Sequence, residues 1–286
     1  MAPRQVIVTA DDFGLSPAVN EAIERSHRDG VLRCASLMAG GVAMHDAVQR
    51  ARRLPELRVG LHVVVVDGRP VLPATSVPDL VDRDGRFGTR LVRAGVRFFF
   101  VPRVRRQLEA EIRAQFEAFA ATGLLLDHVN VHKHMHLHPT VLSLILKIGR
   151  EFGVRAMRLP YEPVHALRAL HAAQRIGPLL SAALLAPWNG LLRRRMRRAG
   201  IRFNQYVFGL SATGRMTEEI VLRILQRLPE GVSEIYFHPV TAFCADGACG
   251  AMFDWHEAEL RALVSPRVRA ALTASGIRMI SFSELA

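Results

Sequence analysis

One stretch of the chain reads Leu126-Asp127-His128-Val129-Asn130-Val131-His132-Lys133-His134-Met135-His136-Leu137-His138-Pro139. Its first half, Leu126–Val131, predicts a strand, and four histidines then alternate from His132 to His138. Alternation with a period of two places these imidazoles on one face of an extended segment. Imidazole is the commonest metal ligand among side chains and exchanges a proton near neutral pH. The stretch therefore predicts a metal site at the end of a strand.

Short strands and longer helices alternate on both sides of this stretch. The other predicted strands are Val6–Ala10, Ala35–Met38, Val59–Val64, Arg155–Leu159, Gln205–Gly209, Glu234–His238 and Arg278–Phe282. The predicted helices are 17–29, with Ser16 as N-cap, and Met44–Leu54, Leu108–Thr122, Thr140–Phe152, Glu218–Leu228 and Glu257–Ser275. About eight strands separated by helices indicate an α/β protein with a parallel sheet. We expect the sheet to close into a barrel, with a doubly wound open sheet as the alternative.

The length of 286 residues fits one domain over residues 1–286, because an α/β barrel commonly uses about 250 residues. An arginine-rich insertion at about 162–202 departs from the alternation. Its apolar centre, Gly177–Trp188, is followed at once by the arginine cluster Arg193–Arg198. Such a combination is typical of a segment at a membrane surface. A helical cap packed over the barrel is the structural alternative.

The net charge is +12, and only Lys133 and Lys147 among the basic residues are lysines. Residues 163–217 and 88–108 contain no acidic residue. Cationic surface of this kind attracts phosphate, either in nucleic acid or in lipid headgroups. A composition bias towards arginine explains the same numbers equally well.

Three cysteines, Cys34, Cys244 and Cys249, do not make a disulfide framework. The N-terminus runs directly into a predicted strand without the pattern of a signal peptide. No stretch of 18 apolar residues predicts a spanning helix. We therefore expect a cytoplasmic protein, with a peripheral position on the inner face of the membrane as an extension of that expectation.

Ionisable groups follow four of the predicted strands at their carboxyl ends, where α/β proteins place catalytic groups. They are Asp11-Asp12, His62, His132 and His238. One carboxylate and two imidazoles can hold a metal ion with positions open for substrate, while a second carboxylate accepts a proton. Taken singly, the aspartate pair could be a helix cap and His62 an ordinary strand histidine. The combination at four strand ends favours a catalytic metal site.

Several motifs together resemble the YdjC/ChbG-like carbohydrate deacetylases. The motifs are Thr9–Ser16 (TADDFGLS), Val59–His62 (VGLH), the His132–His138 run and Ile235–Pro239 (IYFHP). Within that family the chain is most similar to deacetylases associated with hopanoid biosynthesis. The cues for this subgroup are Asp67–Pro73, Arg93–Phe100 and Asp127–His134. The fold that the resemblance implies is a distorted (β/α) TIM-like barrel.

The resemblance also implies roles for individual residues. Asp12, His62 and His132 would bind one divalent metal ion, Zn²⁺ or Mg²⁺. Asp11 would be the general base, and His238 the general acid, with His134 or His136 as competitors for the acid. His134, His136 and Arg158 would contact substrate, Arg158 by stabilising the oxyanion. The chain departs from its relatives at Asn130-Val131-His132, where they usually carry Asp-Ser-His, so selectivity for the sugar is open.

The implied reaction is removal of the acetyl group from an N-acetylglucosaminyl group on a bacteriohopanepolyol lipid. Soluble N-acetylated oligosaccharides such as chitooligosaccharides are the alternative substrate. A histidine-rich metal-storage protein and, more remotely, a basic nucleic-acid-binding protein are the alternatives of another class. The sequence shows no recognition helix, zinc finger or aromatic RNA-binding motif, so we expect no nucleic acid as partner. Family likeness is compatible with a homodimer.

Overall fold

The computed structural model describes residues 3–163, 188–241 and 253–285. Its strands are β1 (Arg4–Phe13), β2 (Cys34–Leu37), β3 (Arg58–Val63), β4 (Val129–Val131), β5 (Tyr206–Phe208), β6 (Gly231–Phe237) and β7 (Arg278–Met279). Its helices are α1 (Pro17–Arg28), α2 (Met44–Arg52), α3 (Leu91–Phe100), α4 (Pro102–Ala121), α5 (Pro139–Glu151), α6 (residues 188–198), α7 (Glu218–Gln226), α8 (Phe253–Leu263) and α9 (Pro266–Ala274). Two 3₁₀ segments, His132–Leu137 and Phe282–Glu284, complete the described elements.

The strands form one parallel sheet in the order β4-β3-β2-β1-β6-β5, and β7 pairs with the beginning of β1. Two isolated parallel bridges, Val129↔Met157 and Ala156↔Arg202, continue the pairing beyond β4. Residue 202 lies four residues before β5 along the chain, so the sheet curls back towards its other edge. The predicted α/β class and parallel sheet are confirmed, but among the described residues the sheet is curled and does not close into the complete barrel that was expected. The regular ladders make a half-barrel, and the described residues on the remaining side form only isolated bridges.

The two faces of the curled sheet carry different side chains. On the outer face, residues such as Val8, Leu61 and Phe237 pack in the main apolar core with the helices. On the inner face, Ile7 and Cys34 form a small apolar cluster near the amino ends of the strands. Polar residues follow at alternate positions further along the same strands. Because side chains alternate between faces, each strand delivers its polar residues to the interior at its carboxyl end.

Gly60 leaves room for a side chain of the neighbouring segment inside the sheet. A Cβ atom on Gly60 would lie 2.5 Å from the imidazole of His128, the residue just before the neighbouring strand β4. The ring of His128 therefore occupies the space that any other residue at position 60 would need. The glycine of the Val59–His62 motif is required by packing inside the sheet.

The structure corrects the prediction for the histidine run. His132–Leu137 does not extend the strand, because it turns into a 3₁₀ segment in which Lys133 and His134 have positive φ values of 50° and 53°. The four histidines therefore do not share one face. Two residues in the left-handed region end the alternation, since the chain must turn sharply to begin α5 at Pro139.

Other element boundaries also differ from prediction. The predicted strand Arg155–Leu159 is reduced to bridges at Ala156 and Met157. The predicted helix Glu257–Ser275 is two helices, because Ser265 caps α9 and Pro266 occupies its first turn. The helix α3 was not predicted. Ser16 caps α1 as predicted, since its side chain accepts a hydrogen bond from the Val19 amide.

The predicted insertion falls partly outside the described residues, which end at 163 and resume at 188. Its last part forms α6, in which Leu192 and Met196 are buried against the core. Trp188 donates its indole N–H to the carbonyl oxygen of Leu137 at 2.8 Å. Among the described helices, none is long and apolar enough to cross a membrane. Cys244 and Cys249 also lie outside the described residues, whereas Cys34 is buried with a free thiol.

Candidate metal centre and active site

Three of the predicted residues meet at the carboxyl end of the sheet. Asp12 Oδ1 lies 3.3 Å from His62 Nε2 and 3.3 Å from His132 Nδ1. The two imidazole nitrogens are also 3.3 Å apart. One oxygen and two nitrogens therefore form a nearly equilateral triangle, and no other group of at least three such ligands is found among the described residues.

The donor set and its spacing fit a divalent cation. Around a tetrahedral zinc ion with bonds of about 2.0–2.1 Å, neighbouring ligand atoms are about 3.3–3.4 Å apart. Asp12 Oδ1 is buried and has no hydrogen-bond partner in the described structure. Burial alone would raise the pKa of Asp12, but the neighbouring imidazoles, His132 first, lower it well below its usual value. An ionised, buried oxygen without a donor suits coordination to a cation.

Backbone strain delivers the carboxylate of Asp12 to this point. Asp12 has a φ value of 63°, in the left-handed region that ordinary residues rarely adopt. The turn after it is fixed by Asn20, whose side chain accepts from the Gly14 amide at 2.7 Å and donates to the carbonyl oxygen of Ala43 at 2.9 Å. Such strain persists only where the surrounding structure holds it, and it is common at functional sites. Asp11 and Asp12 consequently point to different environments.

Asn130 orients both His62 and Asp11. Its Oδ1 accepts from His62 Nδ1 at 2.6 Å, and its Nδ2 donates to Asp11 Oδ1 at 2.8 Å. Since an amide oxygen can only accept, Nδ1 of His62 carries a proton, and Nε2 is the nitrogen that can offer a lone pair to a cation beside Asp12 and His132. A ligand histidine is commonly fixed in this way by the partner of its other nitrogen. The asparagine at this position supplies one acceptor and one donor, which an ionised aspartate could not do.

A chain of buried hydrogen bonds through Ser36, His128 and Asp127 holds Asn130 in place. Asn130 Nδ2 also donates to Ser36 Oγ at 2.8 Å, and Ser36 Oγ is 3.0 Å from His128 Nε2. His128 Nδ1 is 2.9 Å from the carboxylate of Asp127. If His128 donates from Nδ1 to Asp127, its Nε2 accepts from the hydroxyl of Ser36, whose lone pairs then face Asn130. The network fixes which way the amide of Asn130 points.

Arg158 lies beneath Asp11 and is fully buried. Its guanidinium donates to Asp11 Oδ2 at 2.5 Å and Oδ1 at 3.0 Å, and to both carboxylate oxygens of Glu234 at 2.6–3.0 Å. It also stacks on the ring of Tyr236, with 4.6 Å from Cζ to the ring centroid. The predicted contact of Arg158 with substrate does not agree with this burial. Arg158 instead holds the carboxylate of Asp11.

The charge on Asp11 is strongly stabilised. Burial alone would raise its pKa, but the guanidinium of Arg158, followed by His62, brings the pKa far below the usual range. Asp11 is therefore ionised at every physiological pH. Three hydrogen bonds, two from Arg158 and one from Asn130, occupy its oxygens, which leaves about one of four lone-pair positions for another donor.

His238 and His256 line an open cleft above the triangle of ligands. The cleft has a volume of about 720 Å³, and Asp12, His132 and His238 share its wall. The ring of His238 stacks against that of His256 at 5.9 Å between centroids. The backbone amide of His238 donates to Glu259, a buried carboxylate whose pKa is raised by that burial. The opposite rim carries the ion pair of Lys133 with Asp67.

The remaining histidines of the run occupy three different environments. His134 Nε2 is 3.3 Å from the hydroxyl of Tyr236. His136 is buried and donates from Nε2 to the carbonyl oxygen of Arg158 at 3.1 Å. His138 precedes α5 and contacts the rings of Phe98 and Phe99. Burial and the charge of Arg158 lower the pKa of His134 well below its usual value and that of His136 to about 3. His134 and His136 are thus neutral at neutral pH.

Sequence reasoning missed the residues that support the site, including Glu234, Ser36, Tyr236 and Glu259. A usable signal existed for Ser36 and Glu234, because each is a polar residue at an inward position of a strand that is otherwise apolar. Glu259 lies on α8, and the sequence carries no signal that would place it at the His238 backbone.

With this geometry established, comparison with known proteins defines the class. The sequence model of the YdjC-like protein family matches residues 5–274, which is most of the chain. The chain belongs to this family.

Individual relatives agree with that assignment. A protein of Vibrio vulnificus (strain CMCP6) named carbohydrate deacetylase is 31% identical over 283 residues, covering 98% of this chain and 96% of that one. A carbohydrate deacetylase of Brevibacillus brevis is 40% identical over 157 residues, 55% of this chain and 60% of that one. Among solved structures, an Enterococcus faecalis V583 protein provisionally described as a cellobiose-phosphate cleavage protein matches with a TM-score of 0.77. The two chains cover each other fully at 23% identity, and this likeness shows the fold.

Proposed function

We propose that the protein is a metal-dependent N-deacetylase that removes the acetyl group from an N-acetylglucosaminyl group carried by a hopanoid lipid. The single observation that carries the chemistry is the triangle of Asp12, His62 and His132 at the wall of an open cleft, beside the ionised Asp11. Membership of the YdjC-like family and the names of full-length relatives support the carbohydrate substrate.

A single divalent cation would be held by Asp12, His62 and His132. When bound, it supplies Lewis-acid polarisation of the acetyl carbonyl and lowers the pKa of water. The spacing of 3.3 Å supports zinc, because cis ligands of an octahedral magnesium ion with bonds of about 2.0–2.1 Å would be about 2.9 Å apart. The imidazole nitrogens favour the same choice, since magnesium prefers oxygen ligands.

Asp11 is the proposed general base. Its open lone-pair position can accept a proton from the water that adds to the acetyl carbonyl carbon. Arg158 and Asn130 fix its orientation and keep it ionised. Asp11 would release this proton to solvent after the water has added, and His238 would regain from solvent the proton that it donates, so both groups return to their starting state before the next turnover.

His238 is the proposed general acid. It lines the cleft together with Asp12 and His132, and it donates a proton to the amide nitrogen as the bond between that nitrogen and the carbonyl carbon breaks. The products are acetate and a free amino sugar. His134 and His136 are weaker candidates, because their low pKa values leave them without a proton to donate at neutral pH.

The lipid-linked substrate is supported by residues of the hopanoid-type motifs that the fold brings to the cleft. Asp67, Gly68 and Arg69 line it opposite His238. The cleft is open to solvent, and the described residues that line it do not restrict it to a lipid glycoside, so a soluble chitooligosaccharide is the second candidate substrate.

The test is acetate release from two substrates, an N-acetylglucosaminyl hopanoid in mixed micelles and N,N′-diacetylchitobiose in buffer. We expect turnover of the lipid substrate, loss of activity on chelation, and recovery on adding zinc. Asp12→Ala and His132→Ala abolish activity together with bound metal, and Asp11→Asn abolishes activity but keeps the metal. Metal content is measured by plasma mass spectrometry on the folded variants.

His45 offers a matched control, because it is an exposed histidine on α2, remote in sequence from the ligands. His45→Ala should keep both activity and metal. Full activity of a chelated, metal-free protein would refute the mechanism. Turnover of chitobiose without turnover of the lipid would refute the substrate and leave the chemistry standing.

A further inference from the structure

The helix α3 presents an apolar face to solvent. Val92 is 83% exposed, Val96 53%, Phe99 51% and Phe100 72%. On the opposite side of the same helix, Gly95 and Phe98 are buried. At a rotation of about 100° per residue, the four exposed residues fall on one side of the helix. A soluble protein rarely exposes such a continuous apolar surface unless it binds something there.

Arginines border this face on one side. Residues 88–108 carry Arg90, Arg93, Arg97, Arg103, Arg105 and Arg106 and no acidic residue. Arg97 and Arg103 are paired with Asp79. Arg90 and Arg93 line a cavity of about 370 Å³ beside the helix, together with Arg97 and with Asp79 and Asp82. The surface combines an apolar centre with a basic border on one side.

Charge decides between possible occupants. A second copy of the chain, meeting this face through a two-fold axis, would set arginine against arginine. A nucleic acid would pair with the arginines but would leave four exposed apolar side chains without a partner. An anionic lipid surface satisfies both features, because its phosphates attract arginine and its acyl boundary accepts phenylalanine and valine.

We propose that α3 docks the protein on an anionic phospholipid bilayer. Phe99 and Phe100 enter the boundary between headgroups and acyl chains, and Arg90 and Arg93 bind lipid phosphates at the adjoining cavity. The contact of His138 with Phe98 and Phe99 places this surface next to the segment that begins with His132. This proposal does not depend on the catalytic one, since lipid binding is measured without turnover.

The experiment is co-sedimentation of the full chain with vesicles of equal parts phosphatidylglycerol and phosphatidylcholine, and with vesicles of phosphatidylcholine alone. We expect binding to the anionic vesicles that weakens with salt. The double variant Phe99→Ser, Phe100→Ser should lose tenfold or more of the affinity, and Arg93→Gln about fivefold.

Matched controls come from other surfaces. Leu125 is 85% exposed and Arg53 is exposed at the end of α2, so Leu125→Ser and Arg53→Gln should bind as the parent does. Equal binding by the parent and the Phe99, Phe100 variant would overturn the proposal. Absence of binding to anionic vesicles would also overturn the proposal. Sedimentation velocity would then show whether the chain self-associates through Phe100, and a DNA-binding assay whether Arg93 contributes to binding nucleic acid instead. Loss of deacetylase activity in any variant has no bearing on this readout.

Discussion

Arg158 and the pair Arg90 and Arg93 lie in opposite environments, one buried and the other exposed. Arg158 is fully buried inside the curled sheet, where Asp11, Glu234 and the ring of Tyr236 surround its guanidinium. Arg90 and Arg93 lie on the surface of α3, beside exposed valine and phenylalanine. The sequence shows one surplus of positive charge, but among the described arginines only Arg158 is buried inside the protein. The difference shows that the role of an arginine depends on the groups that contact it, and not on how many arginines the chain contains.

The buried ion cluster of Arg158, Asp11 and Glu234 is stable only when all three charged side chains are present. Removing charges from water costs several kcal/mol for each ion, and only close pairing and hydrogen bonds offset this cost. Each of the two carboxylates beside Arg158 accepts at least two hydrogen bonds from it. For the exposed Arg90 and Arg93 no such dependence exists, because water solvates an exposed charge. Substitutions in the two regions should therefore differ greatly in effect.

The largest expected effect is that of Arg158→Met. It leaves two buried carboxylates unpaired, and we expect the free energy of unfolding to fall by about 3–5 kcal/mol. Urea unfolding followed by circular dichroism measures this. The matched variant Arg93→Met, on the surface, should stay within about 0.5 kcal/mol of the parent. Similar losses in both variants would remove the distinction between the two regions.

The next effect concerns the pH dependence of stability. Burial, and then the charge of Arg158, lower the pKa of His136 from its usual 6.5 to about 3. The unfolded chain therefore binds a proton that the folded protein does not between about pH 6.5 and 3. The stability that neutral His136 contributes is complete above pH 6.5 and is lost as the pH falls towards 3, by up to about 1.4 kcal/mol per pH unit.

His136→Gln keeps a donor for the carbonyl oxygen of Arg158 and removes the titration. Its urea-unfolding free energy should fall less steeply between pH 6.5 and 4 than that of the parent. His45→Gln, at an exposed position, should follow the parent curve. An unchanged slope in His136→Gln would show that other groups set the acid sensitivity.

A smaller effect tests the network under the metal ligands. Ser36→Ala removes the hydroxyl between Asn130 and His128, so the amide of Asn130 is held less well against His62. We expect metal affinity to fall about tenfold, measured by competition with a chromogenic chelator. Ser233 is a suitable control, because its buried Oγ has no hydrogen-bond partner in the described structure. Ser233→Ala should bind metal as the parent does, and an equal loss in both variants would contradict a specific role for Ser36.

The smallest effect is expected on the outer surface. Phe100→Ser replaces a side chain that is 72% exposed, so we expect the unfolding free energy to change by less than about 0.5 kcal/mol. Urea unfolding of the free protein measures this. A loss above about 2 kcal/mol would mean that Phe100 packs inside the protein, and the proposed docking surface would have to be abandoned.

Much of the inner face could be predicted from residue alternation alone. Thr9 and Asp11, Gly60 and His62, and Asn130 and His132 each stand two positions apart, at the ends of apolar strands. That pattern pointed to the strand ends that carry ionisable groups, whereas the assignment of Asp12, His62 and His132 as candidate ligands came from the resemblance to the YdjC/ChbG-like family. The same rule was wrong for His134, His136 and His138, because the chain leaves the extended conformation directly after His132. Local periodicity contains no information about where a strand stops when no glycine or proline marks the place.

The sequence by itself determined the alternating α/β elements and, through the family motifs, the three candidate ligand side chains and the aspartate beside them. The elements depend on residue type and local periodicity, and the motifs on short runs of residues, so both are local properties. Only the tertiary structure decided that Asn130 joins His62 to Asp11, that Arg158 is enclosed between two carboxylates, and that the apolar side of α3 faces solvent. Each of these depends on contacts between segments far apart in the chain, and such contacts form only when the sheet curls and brings its strand ends together.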